Sequence, residues 1–390
     1  MSGIVGVMTT ELRRVFSVRP AFTTMIVAVI IYAVLYPQPY LAEALRNVPI
    51  AIVDHDGTSS SRDLARRIDA TPDVAVAVVL PDMASAERAV HARSVSGILV
   101  IPQYFERDLL HGRASPVALY ADASYFLIYQ RVSGAVTGVA RTMGAELEAA
   151  RLIGAGVDSG LAAAASDPMP LTAIALFNPQ GGYATYVLPA ALVLILQQTL
   201  LIGVGLIETS TNSPTPREPT AGAVETVLGK WLAYLIVETP AFVLYLIILP
   251  YVYGIPRLGP FSWVLVLAVP FILAVSGLAM AVAAALRNPL AVQLLLAAFG
   301  LPFFFLAGFA WPNEAIPEAV RMFAIFVPST SAIDGIVRVS QMGALLSDVR
   351  SQVLTLWGLA LLYGGIAVAI NAKRAASHRA ALSNSASPAE

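Results

Sequence analysis

From about residue 183 to residue 370 the chain alternates long apolar runs with short polar breaks. The runs are Tyr183–Ile207, Trp231–Tyr253, Phe261–Leu286, Leu290–Trp311 and Gln352–Ile370. A helix rises about 1.5 Å per residue, so each run reaches the roughly 20 residues that cross a ~30 Å hydrocarbon layer. Their apolar residues lie on every side, whereas a water-soluble helix keeps a polar face. All five are therefore predicted membrane spans. A shorter run, Ala21 to Tyr36, follows Arg13, Arg14, Arg19 and Pro20. Val15, Phe16 and Val18 can extend it, or the bilayer can thin around it. Ahead of it Ile4, Val7, Met8, Leu12, Val15 and Phe16 recur at helical spacing, which predicts a helix lying in the interface over residues 1–20.

Between residues 37 and 182 the pattern is that of a water-soluble domain. Val48-Pro-Ile-Ala-Ile-Val53 reads as a strand, Asp54-His-Asp-Gly57 as a turn, and Thr58 or Ser59 as a helix cap. Arg62–Ala70, Met83–Ala92 and Phe105–His111 read as helices, and Val74–Leu80, Gly97–Ile101 and Val117–Tyr120 as strands. Strands alternating with helices predict a small α/β sheet domain. Tyr125, Ile128, Val132, Val136, Val139, Met143 and Leu147 then fall on one face of a predicted long helix from Ser124 to Leu152. The Gly/Ala-rich stretch Gly154 to Ser166, with Pro168, Pro170 and Pro179 after it, reads as a flexible return to the membrane.

Two further segments interrupt the spans. Glu208 to Lys230 opens as a solvated, proline-bearing turn, and Ala221 to Gly229 predicts a short helix before the next span. Beyond Trp311, Glu318–Phe326 and Ser331–Gly343 read as two short helices broken at Pro328. They form a re-entrant or interfacial hairpin within residues 312–350, a device tolerated where protein covers its backbone. The tail after Ala372 is basic, then Ala/Ser-rich, and is predicted to be disordered.

Arginine and lysine near the span ends set the orientation. With a cytoplasmic N-terminus the inside carries Arg13, Arg14, Arg19, Arg217, Lys230, Arg287, Lys373, Arg374 and Arg379. The short outer segments carry Arg257, Arg321, Arg338 and Arg350. The bias places both termini in the cytoplasm. The expected fold is a polytopic α-helical membrane protein with six transmembrane helices and an inserted extracytoplasmic α/β domain. Its parts are a cytoplasmic interfacial helix (1–20), a first transmembrane helix (21–36), the α/β domain with its long helix (37–182), a five-helix transmembrane region (183–372) and a cytoplasmic tail (373–390). Ala42-Glu43-Ala44 also has the small-x-small form of a signal-peptide cleavage site. Cleavage would leave an odd number of spans, and the basic region is long for a signal peptide.

Composition narrows the chemistry. With 57% hydrophobic and 13% charged residues, the chain lies far from the roughly 25% charged residues of soluble domains. A net charge of −1 gives no electrostatic case for nucleic acid. The absence of cysteine excludes disulfides, thiolate zinc sites and cysteine nucleophiles. Gly229-Lys230 is not a phosphate loop: Val224 stands where G-x-x-x-x-G-K-[ST] needs its first glycine, and Trp231 replaces the hydroxyl residue. An active transporter of this kind draws its energy from a partner or an ion gradient. His55 between Asp54 and Asp56 reads as a turn, since His55, His91 and His111 show no ligand spacing, and no Ser/His/Asp set can be placed.

Glu238, inside a span and followed by Thr239-Pro240, is the sharpest single residue. A carboxylate there costs roughly 2.5–3.5 kcal/mol on insertion scales, so it faces protein or water. It is a candidate for the translocation path, with Gln197 and Gln198. The plainer alternative is a buried carboxyl paired with Gln197, Gln198 or a hydroxyl, because neutral amides bond between helices routinely.

Several stretches together resemble the ABC-2 type permeases, in the subgroup with a large extracytoplasmic domain between the first two spans. These are Val53-Asp-His-Asp-Gly-Thr-Ser-Ser-Ser-Arg-Asp-Leu64 with Ile68-Asp-Ala-Thr-Pro-Asp-Val74, and Arg217-Glu218 through Leu228-Gly-Lys230. Phe303-Phe-Phe-Leu-Ala-Gly308-Phe-Ala-Trp-Pro312, Ile316-Pro317, Val327-Pro-Ser-Thr330 and Ile336 to Ala344 complete the likeness. The inner loop departs from the family pattern: Pro214, Pro216 and Pro219 stand in it, and the Arg-Glu-x-Glu-x-Gly-Thr run is missing.

The resemblance implies an ATP-binding-cassette exporter half that moves an amphipathic or hydrophobic compound out across the bacterial inner membrane. A second permease copy or paralogue and separate cytoplasmic ATPase subunits would complete it. ATP and Mg would then sit on the ATPase, and this chain would bind no cofactor and be no enzyme itself. Arg13, Arg14, Glu208, Arg217, Glu218 and Lys230 become candidates for coupling to the ATPase, and Trp311, Pro312 and Pro328 for the outer gate. In some members a periplasmic adaptor docks on the outer domain. The rival readings are a membrane-anchored receptor or assembly scaffold with an outer partner-binding domain, and a proton-coupled carrier using Glu238.

Overall fold

The computed structural model describes residues 3–41, 44–210, 221–309, 311 and 313–385. Contacts divide the chain into two compact units, Ala44–Ile174 and the union of Met1–Glu43 with Ala175–Glu390.

The Ala44–Ile174 unit holds a four-stranded sheet in the order β2-β1-β3-β4. Strands β1 (Val48–Asp54), β2 (Val74–Leu80) and β3 (Gly97–Ile101) are mutually parallel where they pair, and β4 (Ala118–Ala121) is antiparallel to β3. The unbroken apolar run of β1 is explained by helices on both of its faces. Ile50 and Ile52 pack with Leu64 and Ile68 of one helix (Ser59–Asp69) and Val132 and Val136 of the long helix Phe126–Gly154. Ala51 and Val53 pack on the other face with Ala86, from the helix Met83–His91. A short helix, Phe105–Leu110, links β3 to β4.

The Asp-His-Asp-Gly segment is a turn held by its own carboxylates. Asp54 Oδ1 accepts from the N–H groups of Asp56 and Gly57 at 2.9 Å, and Asp56 Oδ2 accepts from Glu106 N–H at 3.0 Å. His55 is exposed. Thr58 caps the following helix by accepting from Ser61 N–H. Thr58→Ala should cost about 1 kcal/mol. The amides of Ser59–Asp69 should then lose about fivefold in hydrogen-exchange protection, with the rest of the sheet unchanged. The Gly154–Ser166 stretch is not simply a flexible return. Asp158 accepts from the N–H groups of Gly160 and Leu161 and starts a helix, Ser159–Ser166, through a run of alanines that favours it.

In the other unit we number the helices α1 (Ile4–Ser17), α2 (Arg19–Tyr40), α3 (Tyr183–Thr209), α4 (Ala223–Val252), α5 (Phe261–Leu286), α6 (Pro289–Leu306), α7 (Glu318–Ala324), α8 (Pro328–Ser340) and α9 (Arg350–Ser385). Among the described residues six helices are long and apolar enough to cross a membrane: α2, α3, α4, α5, α6 and the Arg350–Lys373 part of α9. The rest of the bundle encloses α3 and α5, while α6 leaves most of its surface open.

Three boundaries differ from the sequence expectation. The predicted short helix at Ala221–Gly229 is continuous with the following span. Glu225 caps the start at Gly222, and no breaker stands between Gly229 and Trp231. The Leu290–Trp311 run stops as a helix at Leu306, and Gly308, with φ of 79°, turns the chain away. The predicted disordered tail is helical to Ser385, in keeping with its alanine content. Finally, α7 and α8 are bent by 86° to one another. Pro328 begins α8 at its first helical position, where the missing N–H costs nothing, so the break precedes it.

Candidate functional site

Two polar assemblies stand out in the largely apolar bundle. The first lies where α1 packs along the start of α4. The face of α1 turned to the protein carries Gly6, Glu11, Arg14 and Val15, while Val5 and Phe16 remain exposed. Arg14 Nη1 donates to Glu11 Oε2 at 3.0 Å, and its Nη2 donates to the Ile207 carbonyl at 2.6 Å, near the end of α3. Tyr234 Oη, fully buried on α4, donates to Glu11 Oε1 at 2.6 Å. Lys230 pairs with Glu208 beside them.

Burial alone would raise the Glu11 carboxyl. The charges of Lys230 and Arg14, with hydrogen bonds from Tyr234 and Arg14, outweigh that and hold it below its ordinary range. The same pairing holds Arg14 above its ordinary value against the effect of its own burial, with Glu11 the largest contributor and Glu208 next. Each buried charge is thus met by an opposite one, the condition under which such groups persist.

Close approach makes the assembly possible. A Cβ on Gly229 would lie 2.7 Å from the Ile4 carbonyl oxygen and 2.7 Å from Val7 Cβ. The Leu228-Gly-Lys230 sequence therefore has separable tasks: Gly229 admits α1, Lys230 takes Glu208, and Leu228 is exposed.

The second assembly surrounds the non-helical turn between α7 and α8. The Phe326 carbonyl accepts from Tyr363 Oη at 2.6 Å, on α9. Thr330 Oγ1 donates to the Leu306 carbonyl at 3.4 Å, at the end of α6. Ser329 N–H, at the head of α8, donates to Gln197 Oε1 at 2.8 Å, near the middle of α3. At the other end of α8, Gln341 Nε2 donates to the Thr185 carbonyl at 2.7 Å. These contacts run α8 antiparallel to α3, with its head at the depth of Gln197. Irregular backbone at that depth needs partners from the protein, and three spans supply them.

The remaining predicted residues fall as follows. Gln198 Nε2 donates to the Leu296 carbonyl at 2.6 Å on α6. Glu238 is 2% exposed, and its Oε1 has no hydrogen-bond partner among the described residues. No hydrogen bond joins it to Gln197 or Gln198 among the described residues, so the proposed pairing with them is not formed. Arg13 is exposed, and Trp311 is 57% exposed. Arg217, Glu218 and Pro312 lie outside the described residues.

Comparison with known families adds the deciding observation. The profile of the ABC-2 family transporter proteins matches residues 21–369. The chain belongs to the ABC-2 transporter family. A relative, the linearmycin resistance permease protein LnrN of Bacillus subtilis (strain 168), is 25% identical over 352 residues, covering 84% of this chain and 87% of its own length. The chain is thus a multi-pass ABC-2 permease subunit of a transporter.

In this ABC-2 permease the structure unites Arg14, Glu208 and Lys230 and adds Glu11 and Tyr234, which sequence reasoning passed over. Glu11 lies within a helix whose apolar spacing suggested a membrane-facing stripe, and Tyr234 is one aromatic residue in an apolar span. A usable signal was present: Lys230 and Tyr234 are four apart, as are Tyr234 and Glu238, placing three polar groups on one stripe of a predicted span.

Proposed function

We propose that this ABC-2 permease is the membrane subunit of an exporter driven by a separate cytoplasmic ATPase. It stands in a bacterial cytoplasmic (inner) membrane with both termini inside and residues 44–174 outside. The observation that carries the reading is the Glu11–Arg14–Tyr234 assembly with its neighbouring Lys230–Glu208 pair. It fastens α1 to the two span ends that flank residues 210–222, which gives a partner ATPase one firm surface rather than three separate ones. ATP and Mg belong to that partner, and two permease subunits, alike or paralogous, complete the passage. The α7–α8 pair with Pro328 forms the outer closure, and Trp311 is assigned to the same gate. The α/β unit is then the surface open to a periplasmic adaptor.

The cargo is an amphipathic or hydrophobic compound. A relative named for resistance supports export of a harmful substance, and the apolar bundle suits a cargo drawn from lipid.

Two measurements test this. The tagged chain should co-purify with a nucleotide-binding subunit, and transport that persists without any ATPase would refute the reading. For sidedness, the chain has no natural cysteine, so Leu110→Cys (76% exposed) supplies a single thiol. An impermeant maleimide should label it in spheroplasts. Labelling confined to inverted vesicles would reverse the topology.

A further inference from the structure

Helix α8 has thirteen residues and no side-chain cap, because Val327 stands at its N-cap and Pro328 at its first position. The positive end of a helix with unpaired N–H groups normally finds an acceptor. Here Gln197 Oε1 takes only the Ser329 N–H. The rest of the same two residues is left over. Gln197 is 1% exposed and Ser329 is fully buried, yet Gln197 Nε2 and Ser329 Oγ have no hydrogen-bond partner among the described residues.

The orientation of the amide is fixed by that backbone bond, since a flipped amide would set its NH2 group against the Ser329 N–H. Gln197 Nε2 can only donate, and the Ser329 hydroxyl is free to donate. The residues that hydrogen-bond at the head of α8 among the described residues are Gln197, Ser329, Thr330, Leu306, Phe326 and Tyr363, none of which carries a charge at neutral pH. An ion at this depth would need an opposite charge beside it, so the fitting ligand is neutral.

We propose that Gln197 and Ser329 form a binding site at the head of α8 for a neutral oxygen acceptor. The oxygen is that of a water molecule or of a hydroxyl or carbonyl group on the cargo. The cargo source rests on the permease reading above; the site itself does not. It adds a selectivity element at the bend of the re-entrant pair, where a compound passing the outer closure would exchange an oxygen with these donors. A site built to meet an oxygen discriminates against the analogue that lacks it, because its donors are then left bare.

The test uses the permease with its ATPase subunit in nanodiscs. ATPase stimulation is read with two probes of equal chain length, 1-dodecanol and dodecane. If cargo supplies the oxygen, Gln197→Leu should raise the half-stimulating concentration of 1-dodecanol about fivefold, the worth of roughly one hydrogen bond, and leave dodecane unchanged. Ser329→Ala, which removes one atom from a buried site and keeps its shape, should move it the same way. If water supplies the oxygen, both variants shift both probes alike, and a high-resolution map of the complex shows an isolated density within hydrogen-bond reach of both groups. The proposal is overturned if neither variant changes either probe, or if the map shows Nε2 and Oγ turned onto the chain's own carbonyls. The map needs no transport, so a preparation without ATPase activity would count against the exporter reading alone.

Discussion

Glu11→Ala should cost about 3–5 kcal/mol, because it strands the buried Arg14 guanidinium without its counter-charge and removes the acceptor of Tyr234. Marginal membrane proteins do not survive such a loss, so the variant should fall in yield and in thermal midpoint after detergent extraction. The triple variant Glu11→Leu, Arg14→Met and Tyr234→Phe separates stability from function, because it leaves no buried hydroxyl without the Glu11 acceptor. Replacing a buried pair by apolar side chains of similar volume is often neutral or stabilising. The triple variant should therefore recover the thermal midpoint while its ATPase coupling stays impaired. Full recovery of both would reduce the assembly to packing. The pH dependence has a definite sign. Glu11 is depressed in the folded protein, so its contribution is complete above the unfolded carboxylate value of about 4.3 and is lost as pH falls through the lower folded value. Stability should be flat between about pH 6 and 8 on this account, and a rise in midpoint on acidification would contradict it.

Gly229→Leu should separate α1 from α4. The nearest obstacle to a new side chain is the Ile4 carbonyl oxygen at 2.7 Å. Backbone of that kind cannot rotate aside as a flexible side chain can. Even Gly229→Ala should cost about 1–3 kcal/mol by overpacking. The leucine variant should expose residues 1–18 to limited proteolysis and lower cargo-stimulated ATPase activity, while the enclosed α3 and α5 keep their protection. Retained resistance of α1 to protease, with normal stimulation, would show that the close approach is dispensable.

The spans and the sheet strands were legible because each obeys a single short-range rule. Uniform apolarity over some twenty residues marks α3 and α5, and the apolar run Val74–Leu80 is an observed strand with the same limits. The break between α7 and α8 was legible through Pro328 and the mixed polarity around it. What stayed hidden depends on which distant groups meet. Glu11 and Tyr234 are 223 positions apart, and nothing local to either announces the other. The alanine-rich segments misled in the opposite direction: at Ser159–Ser166 low complexity read as a flexible return, and beyond Ala372 as disorder, where alanine favours a helix. Glu238 was singled out for its charge, yet the amides named with it serve the head of α8 and the Leu296 carbonyl instead.

Both polar assemblies draw on α3. Its 27 residues make a rod about 40 Å long. The Ile207 carbonyl and Glu208 engage the Glu11–Arg14 cluster, Gln197 holds the head of α8 midway, and Thr185 holds its foot. A tilt imposed at the Glu208 end is therefore delivered to both ends of α8 by one lever, without a relay of intermediate contacts. Its two fastenings to α8 let that helix ride along as a passenger.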